Sequence, residues 1–344
     1  MPELNRSDCE AKLSFVLPFT LREDFCDAAS WRKEVNEDAT ARFLLLLRSF
    51  IYLFAQNDLC EFIVICPAAQ CTTVRNLILT TTNDPRYIVI AEEEFAPALD
   101  TVLKANAEDR GGWYAQQVVK LAAHRIVSTR HYFVLDSDLV CIRPCSYATF
   151  VIDRRPLLNV ESAVDYARLY RSSFATAEMG IKTARRQKSM RILGVNVEFA
   201  DPIRFYGETP VILSAPHVMS MLGEVERVHD KGWVAVLASE YGWTEYGLYF
   251  GYLDALRLTE RIYHLGNCNT ILSLEKSIWQ ETRKYQSVRR YDCSHFFDED
   301  DGFFVAIQSW IPKNEWLPNR YDSKLQFYRD IEKWLADRYP KSAD

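Results

Sequence analysis

Short apolar runs alternate with longer amphipathic stretches over the first part of the chain. The segments Leu13–Phe19, Glu61–Cys66 and Tyr87–Ile90 are almost continuously hydrophobic and end at a proline or at charged residues, a pattern typical of strands buried on both faces. Between them, hydrophobic side chains recur every three to four positions over Asp38–Gln56, which predicts a helix, and a short helix is predicted at Thr73–Thr80. The alternation predicts an α/β fold with a mostly parallel central sheet flanked by helices.

The pattern continues with a helix over Trp113–Ser128 and a strand segment over His131–Val140 that contains an Asp-Ser-Asp tip. Beyond residue 150 the pattern loosens, and residues 153–200 are polar and rich in arginine and tyrosine. Further elements are predicted as strands at Pro210–Ser214 and Arg261–His264 and as helices at Tyr246–Leu258 and Asp322–Arg338. We expect one compact unit with two halves, residues 1–150 and 151–344.

Composition narrows the class of protein. The chain has 344 residues, 48% of them hydrophobic, and a net charge of −6, which favours a folded core and argues against wrapping nucleic acid. Nine cysteines without a CxxC pair indicate reduced thiols. The N-terminal residues lack the apolar stretch of a signal peptide, and charged Arg48 interrupts the apolar run Phe43–Phe54, which is shorter than the ~20 residues of a membrane span. We expect a cytoplasmic protein.

Two carboxylates at a strand end are the strongest chemical signal. Asp136 and Asp138 follow the apolar residues Tyr132–Leu135, and ligands of open α/β sheets bind at the carboxyl ends of strands. Because side chains two apart on a strand point the same way, the two carboxylates repel each other unless a cation lies between them. A hard divalent cation, Mn²⁺ or Mg²⁺, would resolve that conflict and bridge to a diphosphate. The alternative is a turn that closes the strand.

Several segments resemble one class of enzyme. Phe133–Pro144 (FVLDSDLVCIRP) resembles the DxD segment of GT-A-fold, nucleotide-sugar-dependent glycosyltransferases. Gly112–Leu121 (GWYAQQVVKL) is similar to the GWxxQQxxKL helix of a bacterial, DUF6492-like group of such enzymes, and Gly207–Val211 and Trp243–Tyr246 match as well. The resemblance implies a GT-A (Rossmann-like) fold with an acceptor-side C-terminal half. It also implies metal-dependent transfer of a sugar from a nucleotide-sugar donor to a saccharide or lipid-linked saccharide, in surface polysaccharide or glycan synthesis.

The resemblance also implies metal ligands. Asp136 and Asp138 match the DxD carboxylates, and His264 resembles the C-terminal metal-binding histidine of many GT-A enzymes. One residue rather than two separates His264 from Gly266, so the match to an HxxG context is imperfect, and a structural role for His264 is the alternative.

Donor-binding residues are expected on the first strand end and on the helix before the DxD strand. Gln116 and Lys120 are four residues apart and share a helix face, so Lys120 would face the diphosphate and Gln116 or Gln117 the sugar hydroxyls. A solvated helix face is the alternative. Phe19 and Thr20 occupy the place where GT-A enzymes usually hold the nucleobase, and Phe19 would either stack on the base or pack in the core. On this interpretation, loss of Lys120 weakens donor binding more than folding.

Glu245 is the candidate general base. It follows Thr244, a predicted N-cap, at the start of a helix, and it resembles the acidic residue at a helix start in inverting GT-A enzymes. The function would be deprotonation of the acceptor hydroxyl, which favours an inverting reaction. The alternative is stabilisation by the helix dipole.

The run Lys182–Arg191 carries five cations and no acid. It predicts contact with an anionic lipid-linked acceptor or with a membrane surface. A solvated helix face is the alternative.

Three other functions compete. A haloacid-dehalogenase-type phosphohydrolase also places DxD after a strand, and residues 298–301 (DEDD) would be its later acidic motif. A nucleotidyltransferase uses paired carboxylates, and a non-catalytic glycan-binding module would need none of them.

Overall fold

A computed structural model gives the fold of the chain. It describes residues 11–21, 29–96, 99–100, 102, 111–195, 204–287, 291, 293–297, 301–317 and 320–339.

A five-stranded sheet forms the centre of the molecule, in the order β10-β4-β1-β2-β3. Its strands are β1 (Leu13–Pro18), β2 (Leu59–Cys66), β3 (Tyr87–Ala91), β4 (His131–Val134) and β10 (Val211–Ser214). The first four are parallel, whereas β10 is antiparallel to β4. The predicted α/β fold with a mainly parallel sheet flanked by helices is therefore confirmed.

Small sheets follow in the second part of the chain. Their strands are β5 (Leu139–Cys141), β6 (Val151–Ile152), β7 (Arg155–Leu158), β8 (Val160–Glu161), β9 (Phe205–Tyr206), β11 (His264–Leu265) and β12 (Phe304–Ala306). β12 pairs with β5 directly after the Asp-Ser-Asp tip, and β11 pairs with β7. Since β10 and β12 both come from beyond residue 150, the two halves of the chain share their sheets.

The α-helices are α1 (Ala29–Leu53), α2 (Cys71–Leu79), α3 (Glu92–Phe95), α4 (Gly111–Ala122), α5 (Tyr147–Phe150), α6 (Ala163–Leu169), α7 (Ser172–Ile192), α8 (Ala215–His229), α9 (Trp233–Ala238), α10 (Glu245–Ala255), α11 (Thr259–Ile262) and α12 (Lys324–Arg338). Short 3₁₀ turns lie at Gln56–Asp58, Ala68–Gln70, Ala123–Arg125, Thr282–Lys284, Cys293–Phe296 and Lys313–Glu315. Among the described residues, none of the helices is both long and apolar enough to cross a membrane.

Alternate side chains of each central strand enter opposite core layers. Phe15 and Phe133 pack in the layer under α1, where their rings stack at 5.0 Å. Val16 and Val134 point to the other face and pack with α4 and α10. Burial on both faces explains why these strands are continuously hydrophobic rather than alternating.

One sequence prediction needs correction, and one region is more regular than its pattern indicates. Arg261–His264 was expected as a strand, but Thr259–Ile262 forms α11 and β11 begins only at His264. The polar region 153–200, in which the hydrophobic pattern loosens, contains the 21-residue helix α7. Its amphipathic pattern is weak because α7 buries charged Lys182 as well as apolar Met190.

Candidate active site

The carboxyl ends of the parallel strands meet at one edge of the sheet. After β4 the chain continues through Leu135 into Asp136–Ser137–Asp138, a turn in which the Leu139 amide donates to the Asp136 carbonyl at 3.3 Å. Because β10 runs antiparallel, with Val211 opposite Val134, the residues just before β10 reach this same edge. Ligands bind at such an edge in open α/β sheets.

Lys120 lies between two carboxylates at this edge. Its Nζ is 2.8 Å from Asp136 Oδ1 and 3.0 Å from Glu245 Oε1. Lys120 and Glu245 are each only 3% exposed, and the Lys120 ammonium also lies 5.5 Å from the centre of the Tyr246 ring. The structure therefore joins three predicted site residues, from α4, from the DxD turn and from α10, into one charge cluster.

Helix ends and a glutamine position this cluster. Thr244 caps α10, its hydroxyl accepting the Gly247 amide at 2.9 Å, as predicted from the sequence. The Glu245 amide, a free donor at the helix start, donates to Gln117 Oε1 at 3.0 Å. Gln117 is 1% exposed, and its Nε2 has no hydrogen-bond partner among the described residues. Gln117 thus orients Glu245 and keeps one buried donor unused.

Burial and mutual charge set the protonation of the cluster. Burial alone would lower the pKa of Lys120, but Asp136 and Glu245 outweigh it and raise that pKa well above its ordinary value. Burial raises the pKa of Glu245, although Lys120 opposes the shift. The ammonium is therefore charged at neutral pH, and Glu245 is more basic than an ordinary glutamate.

Arg42 is a site residue that the sequence interpretation missed. It lies on α1, is 8% exposed, donates from Nε to Asp38 at 3.0 Å and lies 3.5 Å from the Ser137 hydroxyl. Burial and the charge of Asp136 raise the pKa of Asp138 to about 6, and Arg42 opposes this rise. A signal was available, because Arg42 precedes buried Leu46 and Ser49 by one and two helical turns and so lies on the buried face.

Asp136 and Asp138 supply the two carboxylates predicted as metal ligands. Burial and, to a lesser extent, the charge of Asp136 raise the pKa of Asp138, while Arg42 and Lys120 oppose the rise. A divalent cation beside the pair would oppose it further, and Mg²⁺ is often held by one or two carboxylates plus substrate phosphates. Within the described part of the chain, no group of three His, Cys, Asp or Glu side chains could hold a metal ion. His264 is thus not grouped with the aspartates; its Nδ1 lies 3.3 Å from Arg155 Nη2, and its Nε2 is buried.

The remaining predicted donor residues make no described hydrogen bond to this cluster. Phe19 is 5% exposed and stacks on Phe43 at 4.4 Å, so it packs in the core, which is one of the two roles considered for it, and base stacking stays a prediction. Thr20 is exposed and Gln116 is half-buried. Neither of these two side chains contacts Lys120 or Glu245 through a described hydrogen bond.

The basic run is neutralised by acids that are distant in sequence. Lys182 Nζ lies 2.7 Å from Glu161 Oε2, and Arg185 lies 3.7 Å from Glu208. Arg186 pairs with Asp254 and Lys188 with Glu240, whereas Arg191 is exposed. Most of the positive charge that predicts contact with a membrane or an anionic acceptor is therefore neutralised by ion pairs within the fold.

The acidic motif of the rival phosphohydrolase lies mostly outside the described residues, which omit 298–300. Its last member, Asp301, accepts from the Ser273 hydroxyl at 3.0 Å and pairs with buried Lys276 at 2.7 Å. Asp301 therefore has a structural role.

Comparison with known proteins gives a family and remote structural similarity. Among curated proteins, no sequence matches the chain. A crystal structure of mouse xyloside xylosyltransferase 1 in its apo form superposes with a TM-score of 0.46 at 14% identity, covering 89% of this chain and all of that one. The family described as "Family of unknown function (DUF6492)" matches residues 10–331. The chain therefore belongs to the DUF6492 family.

Proposed function

We propose that the protein is a metal-dependent glycosyltransferase of GT-A type. It would move a sugar from a nucleotide-sugar donor to a saccharide or lipid-linked saccharide. The observation that carries the proposal is the charge cluster in which Lys120 links Asp136 of the DxD turn to Glu245. Cytoplasmic surface-polysaccharide or glycan synthesis belongs to the same proposal and rests on the sequence resemblance.

Asp136 and Asp138 would hold the divalent cation, Mn²⁺ or Mg²⁺, with His264 the predicted third ligand. When bound, the cation supplies Lewis-acid stabilisation of the leaving diphosphate. The chain's own cations add to this. Lys120 fixes Asp136 through a 2.8 Å contact, and Arg42 beside Ser137 places a second positive charge at the turn.

Glu245 would act as the general base. Its Oε1 is held by Lys120, which leaves Oε2 to accept the proton of the acceptor hydroxyl. The hydroxyl oxygen then forms a bond to the anomeric carbon, the bond from that carbon to the diphosphate oxygen breaks, and the nucleoside diphosphate leaves. Attack from the opposite side inverts the anomeric configuration. The raised pKa of buried Glu245 supports this role.

Metal-dependent binding is the direct test. Isothermal titration of uridine and guanosine diphosphates with Mn²⁺ should show affinity that a chelator removes. Asp138→Asn should abolish the Mn²⁺-dependent part, whereas Asp337→Asn, at an exposed position of α12, should leave it unchanged. Equal affinity with Mn²⁺ and with chelator would contradict the proposal.

A further inference from the structure

A small, half-open pocket lies between α7, β9 and α10. The pocket is lined by aromatic rings, including Tyr206, Tyr246 and Phe250, and by charged side chains of α7 and of the segment before β10. Neither the donor nor the metal assignments above use it.

Glu208 and Arg185 face this pocket with unused hydrogen-bonding capacity. Glu208 Oε1 lies 3.8 Å from Lys182 and 3.7 Å from Arg185, too far for hydrogen bonds. Within the described residues, neither side chain takes part in a side-chain hydrogen bond, and the Arg185 guanidinium lies 5.5 Å above the Trp113 ring. A half-exposed carboxylate and guanidinium in this state are ready to bind a polar ligand.

The charges of the pocket favour an uncharged ligand. Each of its three cations has a carboxylate partner: Lys182 with Glu161, Arg185 with Glu208 and Arg186 with Asp254. A balanced pocket offers no net attraction to an anion. It offers instead donors and acceptors for hydroxyl groups, beside aromatic faces that pack on the C–H face of a sugar ring.

The neighbours of the proposed base in sequence also belong to the pocket. Thr244 and Tyr246, which flank Glu245, both line it, and the Tyr246 hydroxyl lies 2.7 Å from that of Thr209, next to Glu208. We propose that this pocket binds the acceptor as a neutral saccharide, with Glu208 and Arg185 contacting its hydroxyl groups. The inference rests on the proposed glycosyl transfer and names the acceptor class and its site.

Saccharide binding tests the inference directly. Saturation-transfer-difference NMR would use methyl glycopyranosides of glucose, galactose, mannose, xylose and N-acetylglucosamine. At least one should bind the wild-type protein with millimolar affinity, and Glu208→Gln and Arg185→Gln should each weaken it by about 10- to 100-fold, the loss expected for a charged hydrogen bond. Glu224→Gln and Arg227→Gln, which alter an exposed ion pair on α8, serve as matched controls and should not weaken it.

Two results would overturn the inference: no methyl glycoside binds at tens of millimolar, or binding is equal in the wild type and in both pocket variants. Tighter, Arg185-dependent binding of glucose 1-phosphate than of methyl glucoside would also overturn it, in favour of an anionic ligand. Thermal unfolding of each variant shows whether it is folded. Mn²⁺-dependent nucleoside diphosphate binding, measured on the wild type, fails only if the proposed function fails, so the two failures are distinguishable.

Discussion

Replacing Lys120 by methionine should destabilise the protein as well as impair donor binding. Methionine keeps most of the aliphatic stem and its packing but removes the charge shared by Asp136 and Glu245. From the sequence, with Lys120 on an accessible helix face, its loss should affect donor binding more than folding. Its burial, at 3% exposure, changes that expectation.

The size of the effect follows from which carboxylate loses its partner. Glu245 is as buried as Lys120, whereas the Asp136 side chain is 30% exposed, so water solvates Asp136 much better than Glu245. Leaving one buried charge unpaired costs about 3–5 kcal/mol. Protonation of Glu245 limits this cost, so we expect a loss of about 3 kcal/mol in the free energy of unfolding, a large share of the 5–15 kcal/mol that is typical of a domain.

Urea unfolding in the presence of chelator would measure this loss without a metal contribution. Lys120→Met combined with Glu245→Gln should recover about 1–2 kcal/mol relative to Lys120→Met alone, because the double variant buries no unpaired charge. Lys333→Met, on the exposed face of α12, is the control and should change stability by less than about 0.5 kcal/mol. Additive single effects, or a loss below about 1 kcal/mol for Lys120→Met, would refute the proposed coupling.

Three further outcomes are expected. Burial and the charge of Glu93 raise the pKa of Glu92 to about 7, so the folded state binds this proton more tightly than the unfolded state, and stability falls as pH rises from 4.5 through 7. In thermal unfolding, Glu92→Gln should therefore raise stability at pH 8 but not at pH 4.5, and by only about 1 kcal/mol because the side chain is partly exposed. Glu61→Ala should cost about 3 kcal/mol, since Glu61 accepts from the Ser14 hydroxyl and the Ser128 amide at 2.7 and 2.6 Å, while titration shows unchanged nucleoside diphosphate affinity. Phe19→Leu should lower stability by about 1–2 kcal/mol without altering that affinity, and a selective loss of binding would support the base-stacking role instead.

The central sheet could be predicted because the sequence of each parallel strand is itself hydrophobic. β1, β2 and β3 are buried on both faces, so their apolar character is continuous and does not depend on partners elsewhere. The failures occur where long-range pairing decides the structure. Lys182 on α7 is buried beside Glu161, which lies 2.7 Å away and balances its charge. The local sequence pattern predicts that such a lysine is exposed to solvent.

The same distinction applies to the site. Asp136 and Asp138 were found because two carboxylates directly after a strand form a local signal. Arg42 and Glu208 were not, since their roles depend on elements that meet only in the folded chain. His264 was chosen from a local strand–glycine context alone. Within the described residues its ring is not grouped with the aspartates, so its role as a metal ligand stays a prediction.

Glu245 shows how the structure changes the interpretation of a mutant. It lies 125 positions from Lys120 in sequence, and the sequence assigned the two residues to acceptor and donor separately. Because they are ion-paired, a loss of activity in Glu245→Gln has two possible physical causes: a missing base and a Lys120 left with Asp136 alone. The second cause is mild for folding, since Asp136 still pairs with Lys120 at 2.8 Å, so this variant should lose less stability than Lys120→Met.

Loss of a general base, in contrast, should lower the rate of transfer by about 10²–10⁴-fold. Glu245→Gln should therefore lose orders of magnitude in turnover while nucleoside diphosphate affinity and unfolding change little, and the wild-type product should show inverted anomeric configuration by proton NMR. If turnover falls only in proportion to donor affinity, Glu245 acts as the counter-ion of Lys120 and not as the base. A product that retains the donor configuration would remove the need for a base, with Asp136 and Asp138 still the proposed metal ligands.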